Sequence, residues 1–147
     1  IIATFQDLKK QGKVRFLGLS SHSDPAALLR KAAALGRYDM VMPAYNAVNG
    51  AAMDTAIREA AARGLGVIAM KSAMAVATQH KELQPVPAWR IGMLNRIIPG
   101  PMKPPLKAYL WVLQNPNLTS VVSNLWDETH VRENLGLAGR KVKLELA

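Results

Sequence analysis

The sequence has no cysteine, and aromatic residues make up only 5% of it. Without cysteine the protein can form no disulfide bond, no thiolate metal site and no cysteine nucleophile. The few aromatic residues do not interleave with basic ones, so they offer no stacking platform for single-stranded nucleic acid. A net charge of +9 could attract phosphates, but the 19 lysines and arginines are scattered along the chain. We therefore do not expect a nucleic-acid partner.

Several motifs that hold phosphates or nucleophiles are missing as well. The sequence contains no GxGxxG, no P-loop and no GxSxG. Its three histidines have no acidic partners at the spacing of metal ligands, so no metal site is expected. No apolar stretch approaches the ~18 residues that a membrane span needs. We expect no membrane contact and a cytoplasmic location.

What the sequence does contain is a module that recurs four times, in which an amphipathic segment precedes a short apolar run with a polar end. The four run ends are Gly18–His22, Met42–Asn46, Ala69–Ser72 and Val121–Asn124. This pattern favours a parallel sheet with crossover helices, which binds ligands at the carboxyl ends of its strands. A complete barrel of eight such units needs ~250 residues. We predict one α/β domain over residues 1–147, a partial (β/α)8 TIM barrel of about four units, with strands over residues 14–19, 38–43, 65–70 and 118–122.

Residues 72–105 interrupt this pattern, because six prolines fall between Pro85 and Pro105. Proline continues neither a helix nor a central strand, which predicts a long, proline-rich loop. The loop follows the third strand and should lie at the ligand-facing end. Two interpretations stay open for it, a functional lid and a disordered insertion.

Polar residues at the predicted strand ends are the candidates for chemistry. His22 could transfer protons, or it could be a loop histidine bonded to nearby backbone. Lys71 could act as a base or form a Schiff base, or it could reach to solvent or to an anionic ligand. Tyr45 and Asn46 present a ring and an amide, and Ser123 and Asn124 precede a helix whose N-terminus could favour a phosphate. His80 lies in the proline-rich segment, and no acidic residue ends any of the four strands, so no pair of catalytic carboxylates is evident.

Taken together, the strand ends resemble the carboxyl half of an aldo-keto reductase, strands five to eight of that barrel. The resemblance runs from residue 9 to residue 136 and rests on the sequences around Gly12–His22, Asp39–Asn46, Gly64–Lys71 and Gln114–Asn134. The family reduces aldehydes and ketones with NADPH and without metal. The resemblance therefore implies a carbonyl oxidoreductase with NADP(H) as cofactor and a small carbonyl compound as substrate.

The resemblance also implies which residues face the cofactor. Ser20 matches a serine that holds the nicotinamide carboxamide, whereas Ser21 and Met42 replace an asparagine and a glutamine. Met70 stands at or beside the position of the ring that stacks on the nicotinamide. Relatives that bind the adenosine 2′-phosphate have a Lys-Ser pair and an arginine where this chain has Asn124, Leu125 and His130. The implied cofactor-binding residues are Ser20, Ser21, Met42, Met70, Ser123, Asn124, His130, Glu133 and Asn134.

The catalytic Asp, Tyr, Lys and His of that family come from the other half of the barrel, so we assign no catalytic residue in this chain. We expect a truncated half that is inactive alone and whose own binding of NADP(H) is doubtful. The alternative is a non-catalytic protein derived from the same fold, which binds a ligand or forms oligomers. The two unpaired edges of such a sheet predict self-association.

Overall fold

The computed structural model describes residues 2–77 and 85–144. Within these ranges an α/β unit alternates helices and strands. Its elements are α1 (Ile2–Lys10), β1 (Gly18–Ser21), α2 (Pro25–Leu35), β2 (Met40–Pro43), α3 (Gly50–Ala62), β3 (Gly66–Ala69), a short 3-10 helix (Ala73–Ala75), α4 (Ala88–Ile97), α5 (Pro104–Val112), β4 (Ser120–Val121) and α6 (Glu128–Leu135).

The four strands form one parallel sheet in the order β1-β2-β3-β4. Gly18 pairs with Met40, and Met40 pairs with Gly66, so these three residues form one row across the sheet. Each neighbouring pair of strands is joined through at least one helix, as parallel pairing requires. This arrangement confirms the predicted partial barrel.

Local signals set the boundaries of the helices. Asp24 caps α2, because its carboxylate accepts a hydrogen bond from the Ala27 backbone N–H at 3.3 Å, and Pro25 occupies the first helical position. The same helix ends at Gly36, whose φ of 58° lies in the left-handed region that favours glycine. A capping aspartate and a terminal glycine thus position the crossover from β1 to β2.

One face of the sheet packs against the helices, and the other is open. On the helix side, Val41, Val67 and Ala69 are fully buried in a core completed by residues of α2 and α3 such as Leu29 and Ile57. On the opposite face, which we call the open face, a second row consists of Ser20, Met42, Ile68 and Ser120. These residues are exposed or half-buried. The open face is therefore the surface that would line the inside of a closed barrel.

Small and large residues alternate along the open face. A Cβ atom added at Gly18 would lie 3.0 Å from Cγ of Met40, because the Met40 side chain leans over the neighbouring strand. The residue that pairs with Met40 from the other neighbouring strand, Gly66, also has no side chain. Alternation of small and large side chains is typical of the interior of small barrels.

The prediction of an uninterrupted loop over residues 72–105 is wrong, since the segment contains the 3-10 helix and the ten-residue helix α4. The prolines lie at the boundaries of these elements. Pro87 precedes α4, Pro99 follows it, and Pro104 occupies the start of α5. Eleven residues between Pro87 and Pro99 contain no proline, which is room for three helical turns. Residues 78–84, with His80, lie outside the described part of the chain.

Large apolar side chains are exposed close in sequence to both edge strands of the sheet. Phe16 precedes β1 and is 63% exposed, and Trp126 follows β4 and is 67% exposed. The flanking helices α1 and α6 contribute no fully buried residue. Among the described residues, no helix has the length and apolar character needed to cross a membrane.

Candidate functional site

A cavity of about 750 Å³ opens beyond the carboxyl ends of β3 and β4. Residues after β3 form one wall, α5 and its approach form the floor, and the segment from β4 into α6 forms the other wall. The lining residues are Met70, Lys71, Ser72, Ala73, Met74, Ala77, Lys103, Pro105, Leu106, Tyr109, Val122, Asn124, Trp126, His130, Glu133 and Asn134. The position is the one at which parallel α/β folds bind ligands.

Lys71 shapes the wall that follows β3. Its φ of 58° lies in the left-handed region, which is uncommon for a residue other than glycine. Two hydrogen bonds keep this turn in place. Asn46 donates its Nδ2 hydrogen to the Lys71 carbonyl at 3.5 Å, and Ser72 donates its hydroxyl to the Tyr45 carbonyl at 3.0 Å. The ends of β2 and β3 are thereby joined, and backbone strain of this kind is concentrated at functional sites.

Asp127 organises the opposite wall at the start of α6. One oxygen of its carboxylate accepts the backbone N–H of His130 at 2.9 Å and lies 2.9 Å from Nδ1 of the same histidine. These hydrogen bonds hold the pKa of Asp127 below its ordinary value of 3.8. The first turn of the helix is therefore capped by a negative charge that belongs to the protein itself.

Two further contacts brace this wall. Glu133 of α6 forms an ion pair with Lys103, which precedes α5 and lines the cavity floor. Asn134 donates its Nδ2 hydrogen to the backbone carbonyl of Asn124 at 3.0 Å. The helix is thus tied both to the loop that follows β4 and to the approach to α5.

Apolar side chains supply the rest of the surface. Tyr109 of α5 is 8% exposed, and its burial raises the pKa of its hydroxyl, so the group stays neutral. Trp126 and Met74 stand exposed at the rim. The cavity therefore combines amide and ammonium groups with a largely apolar floor.

The structure brings together five of the nine predicted cofactor residues and separates the rest. Met70, Asn124, His130, Glu133 and Asn134 all line the cavity. The other four are not among its lining residues: Ser20 and Ser21 end β1, Met42 lies within β2, and Ser123 lies between two residues that flank the cavity.

The other strand-end candidates divide in the same way. Lys71 lines the cavity, whereas His22 is exposed after β1 and does not. Tyr45 is 2% exposed and points into the helix layer, where its hydroxyl donates to Asp54 of α3 at 2.6 Å. Its ring is therefore unavailable to a ligand at the strand ends. The described residues contain no cluster of three potential metal ligands.

Among the cavity residues that the sequence reasoning missed are Lys103, Tyr109 and Trp126. A signal for the first two was present, since Pro104 and Pro105 mark the start of a helix at the ligand-facing end. Lys103 stands directly before that start, and Tyr109 lies within the same helix. Nothing in the sequence distinguished Trp126 from an ordinary surface residue.

Comparison with known proteins shows a likeness in structure and none in sequence. No family model matches the sequence, and no curated protein matches it significantly. The structure is similar to aldo-keto reductase AKR11C1 from Bacillus halodurans in its holo form, with a TM-score of 0.65 and 15% sequence identity. The match covers 95% of this chain and 50% of that chain.

The chain has the fold of half an aldo-keto reductase barrel. The resemblance stated from the strand ends is confirmed for the fold. At 15% sequence identity, the likeness in structure shows the fold alone and leaves function open. The half-barrel spans about half the length of the reductase it matches.

Proposed function

We propose that this half-barrel provides the dinucleotide-holding side of a carbonyl oxidoreductase of the aldo-keto reductase type. The observation that carries the proposal is the cavity, which gathers five of the nine residues implied by the resemblance around one space. The resemblance implies NADP(H) as the dinucleotide and a small aldehyde or ketone as the substrate of the complete barrel. A cytoplasmic location is part of the same proposal.

The cavity suits the adenosine end of a dinucleotide better than the nicotinamide end. Its volume of about 750 Å³ falls within the range of roughly 300–1,000 Å³ that is usual for ligand sites. Lys71 offers an ammonium group for phosphate, Asn124 and Asn134 offer amides, and Trp126 offers a ring for stacking. These groups fit the phosphates and the adenosine.

The residues implied for the nicotinamide fit less well. Ser20 and Ser21 stand two strands away from the cavity-lining Met70. Met42, which replaces a glutamine, has only a thioether sulfur, a weak acceptor. A bound dinucleotide would supply a hydride, and this chain's own residues would hold its adenosine side and orient it. We expect no carbonyl reduction by the half-barrel alone.

A scaffold without catalysis is the second candidate function. It is favoured by exposed apolar residues close in sequence to the two edge strands, Phe16 before β1 and Trp126 after β4. Exposed edges tend to find a pairing partner. In this role the half-barrel would self-associate and need not bind a dinucleotide.

Binding measurements separate the two candidates. Reduced dinucleotides would be titrated with the protein and followed by their own fluorescence. Lys71→Met should weaken binding on the order of tenfold through loss of a charge-assisted contact. Lys31→Met, the same substitution at an exposed site on α2, is the matched control and should leave binding unchanged.

Two further measurements complete the test. Light scattering at several protein concentrations should show mass rising with concentration if the scaffold role holds. Aldehyde turnover by the half-barrel alone would contradict the assignment of no catalytic residue to this chain. Absence of dinucleotide binding would overturn the first candidate and leave the second.

A further inference from the structure

Of the two histidines in the described part of the chain, only His130 lines the cavity. Its Nδ1 atom lies 2.9 Å from a carboxylate oxygen of Asp127, a residue that is not among the lining residues. The His130 side chain is 47% exposed, so a ligand in the cavity can reach it. Because Nδ1 is engaged by Asp127, the other ring nitrogen, Nε2, is the one left for a bound molecule.

Asp127 holds the ring of His130 in this orientation. The carboxylate oxygen that contacts the ring also accepts the backbone N–H of His130 at 2.9 Å. The backbone bond first, and then the bond to the ring, hold the pKa of Asp127 below its ordinary value of 3.8, so the carboxylate is ionised wherever histidine titrates. An ionised acceptor at Nδ1 keeps a hydrogen on that nitrogen. The neutral ring then has a lone pair at Nε2, whereas the protonated ring has an N–H there and a positive charge.

The other charges on this wall of the cavity cancel one another. Glu133 of α6 lines the cavity and pairs with Lys103 of the floor at 2.5 Å. The other charged residues of α6, Glu128 and Arg132, are not among the lining residues. His130 is therefore the residue of this wall whose charge can change near neutral pH.

The opposite wall supplies a permanent cation. Lys71, after β3, forms no ion pair within the described residues. Tyr109 on the floor is neutral, since its burial raises the pKa of its hydroxyl. The lining is thus positive by one charge when His130 is neutral and by two when it is protonated. Two cations on opposite walls suit a ligand that carries phosphate groups.

We infer that His130 contacts a phosphate of the bound dinucleotide, and does so only when its ring is protonated. In that state Nδ1 donates to Asp127, and Nε2 donates to a phosphate oxygen in a charge-assisted hydrogen bond. In the neutral state the lone pair of Nε2 faces oxygens that are themselves acceptors, and the contact is lost. The inference rests on the proposed function and adds to it a binding residue, a positioning residue in Asp127, and an affinity that rises as pH falls.

The test is a fluorescence titration of NADPH at about pH 6 and about pH 8, on either side of the range in which histidine titrates. His130→Gln keeps a polar side chain without charge, and His130→Arg is charged at both pH values. We expect the unmodified protein to bind about three- to fivefold more tightly than His130→Gln at the lower pH and equally at the higher pH. His130→Arg should bind more tightly than the unmodified protein at the higher pH. Comparing proteins at one pH cancels the titration of the ligand's own 2′-phosphate.

His22→Gln is the matched control, because His22 is exposed and is not among the lining residues. It should leave the affinity unchanged at both pH values. A titration of NADH, which lacks the 2′-phosphate, identifies the phosphate that is contacted. The same advantage over His130→Gln with NADH assigns the contact to the pyrophosphate, and equal binding of NADH by the two proteins assigns it to the 2′-phosphate.

Two results would overturn the inference while the proposed function stands. One is NADPH binding that His130→Gln leaves unchanged at both pH values. The other is an equal loss of affinity at both pH values, which would show that His130 acts only through the structure. Binding of neither dinucleotide would overturn the proposed function, and this inference with it.

Discussion

Replacing Tyr45 by phenylalanine tests how the helix layer is joined to the end of β2. The Tyr45 hydroxyl donates to Asp54 at 2.6 Å and accepts from Nδ2 of Asn115 at 3.1 Å. Tyr45→Phe removes this hydroxyl and keeps the ring, whose centroid lies 5.1 Å from that of Trp111. The substitution therefore isolates one polar contact from the packing around it.

The size of the effect follows from what each partner retains. A hydrogen bond to a charged group contributes about 1.5–3 kcal/mol. Asp54 is exposed and can regain water, and Asn115 keeps a bond to it at 3.3 Å. We expect Tyr45→Phe to lower the free energy of unfolding by about 1–2 kcal/mol in urea denaturation. Tyr45→Ala also removes the ring and should cost about 3–5 kcal/mol. A phenylalanine variant as stable as the original protein would refute this reasoning.

The pH dependence offers an independent check on the same residue. Burial first, and then the bond to Asp54, raise the pKa of Tyr45 above its ordinary value of 10.0. The unfolded chain loses this proton at lower pH than the folded chain, so stability falls as pH rises above about 10. The slope for one proton is at most about 1.4 kcal/mol per pH unit. Tyr45→Phe should remove the part of the stability loss at alkaline pH that comes from Tyr45. Tyr109, whose pKa is also raised, is present in both proteins and does not affect the comparison. Parallel stability curves would contradict the account.

Two further stability predictions concern glycines and an acidic residue. A Cβ added at Gly50 would lie 2.5 Å from Cη2 of Trp111, so Gly50→Ala should destabilise by about 1–3 kcal/mol in urea denaturation. Gly92→Ala, whose nearest contact is at 3.9 Å, should instead stabilise α4 by up to ~1 kcal/mol, and equal effects would refute the clash. Asp39 accepts the Leu17 backbone N–H at 2.7 Å, and this bond is the largest cause of a pKa below its ordinary value of 3.8. The stabilisation from the ionised carboxylate is present above pH 3.8 and is lost as pH falls through the lower pKa of the folded protein. Asp39→Asn should therefore reduce the loss of stability between neutral and acid pH. An unchanged loss of stability at acid pH would count against this account.

The order of elements was predictable because the residues that start and end helices, and the hydrophobic periodicity between them, agreed with the fold. Gly36 after α2 and the Asp24-Pro25 start of α2 are local signals, and tertiary packing did not override them. The strands came out shorter than predicted; β4, for example, covers Ser120–Val121. The prediction of the first strand over residues 14–19 was also displaced, since β1 covers Gly18–Ser21. Helix α4 was missed because the count of prolines was considered without their spacing.

The position of the candidate site could be predicted from the sequence, but only some of the residues that line it could. Strand ends are fixed by sequence, so Met70 and Asn124 were placed at the correct edge of the sheet. Which strand ends border a cavity depends on α5 and α6, which close around the ends of β3 and β4 and leave Ser20 and Met42 outside. The direction of the Tyr45 side chain was set by a partner nine residues away, Asp54, that no local pattern reveals.

The placement of the outer helices limits which partner could complete the barrel. Helix α1 precedes the edge strand β1 in the chain and α6 follows the edge strand β4, so this unit carries one helix beyond each of its edge strands. A matching unit that closes an eight-stranded ring needs strands at its two ends and helices only between them. A second copy would bring two helices to each seam, where one fits. Two copies can therefore join only if α1 or α6 moves aside. Neither helix contains a fully buried residue, so displacing either one would expose little of the core.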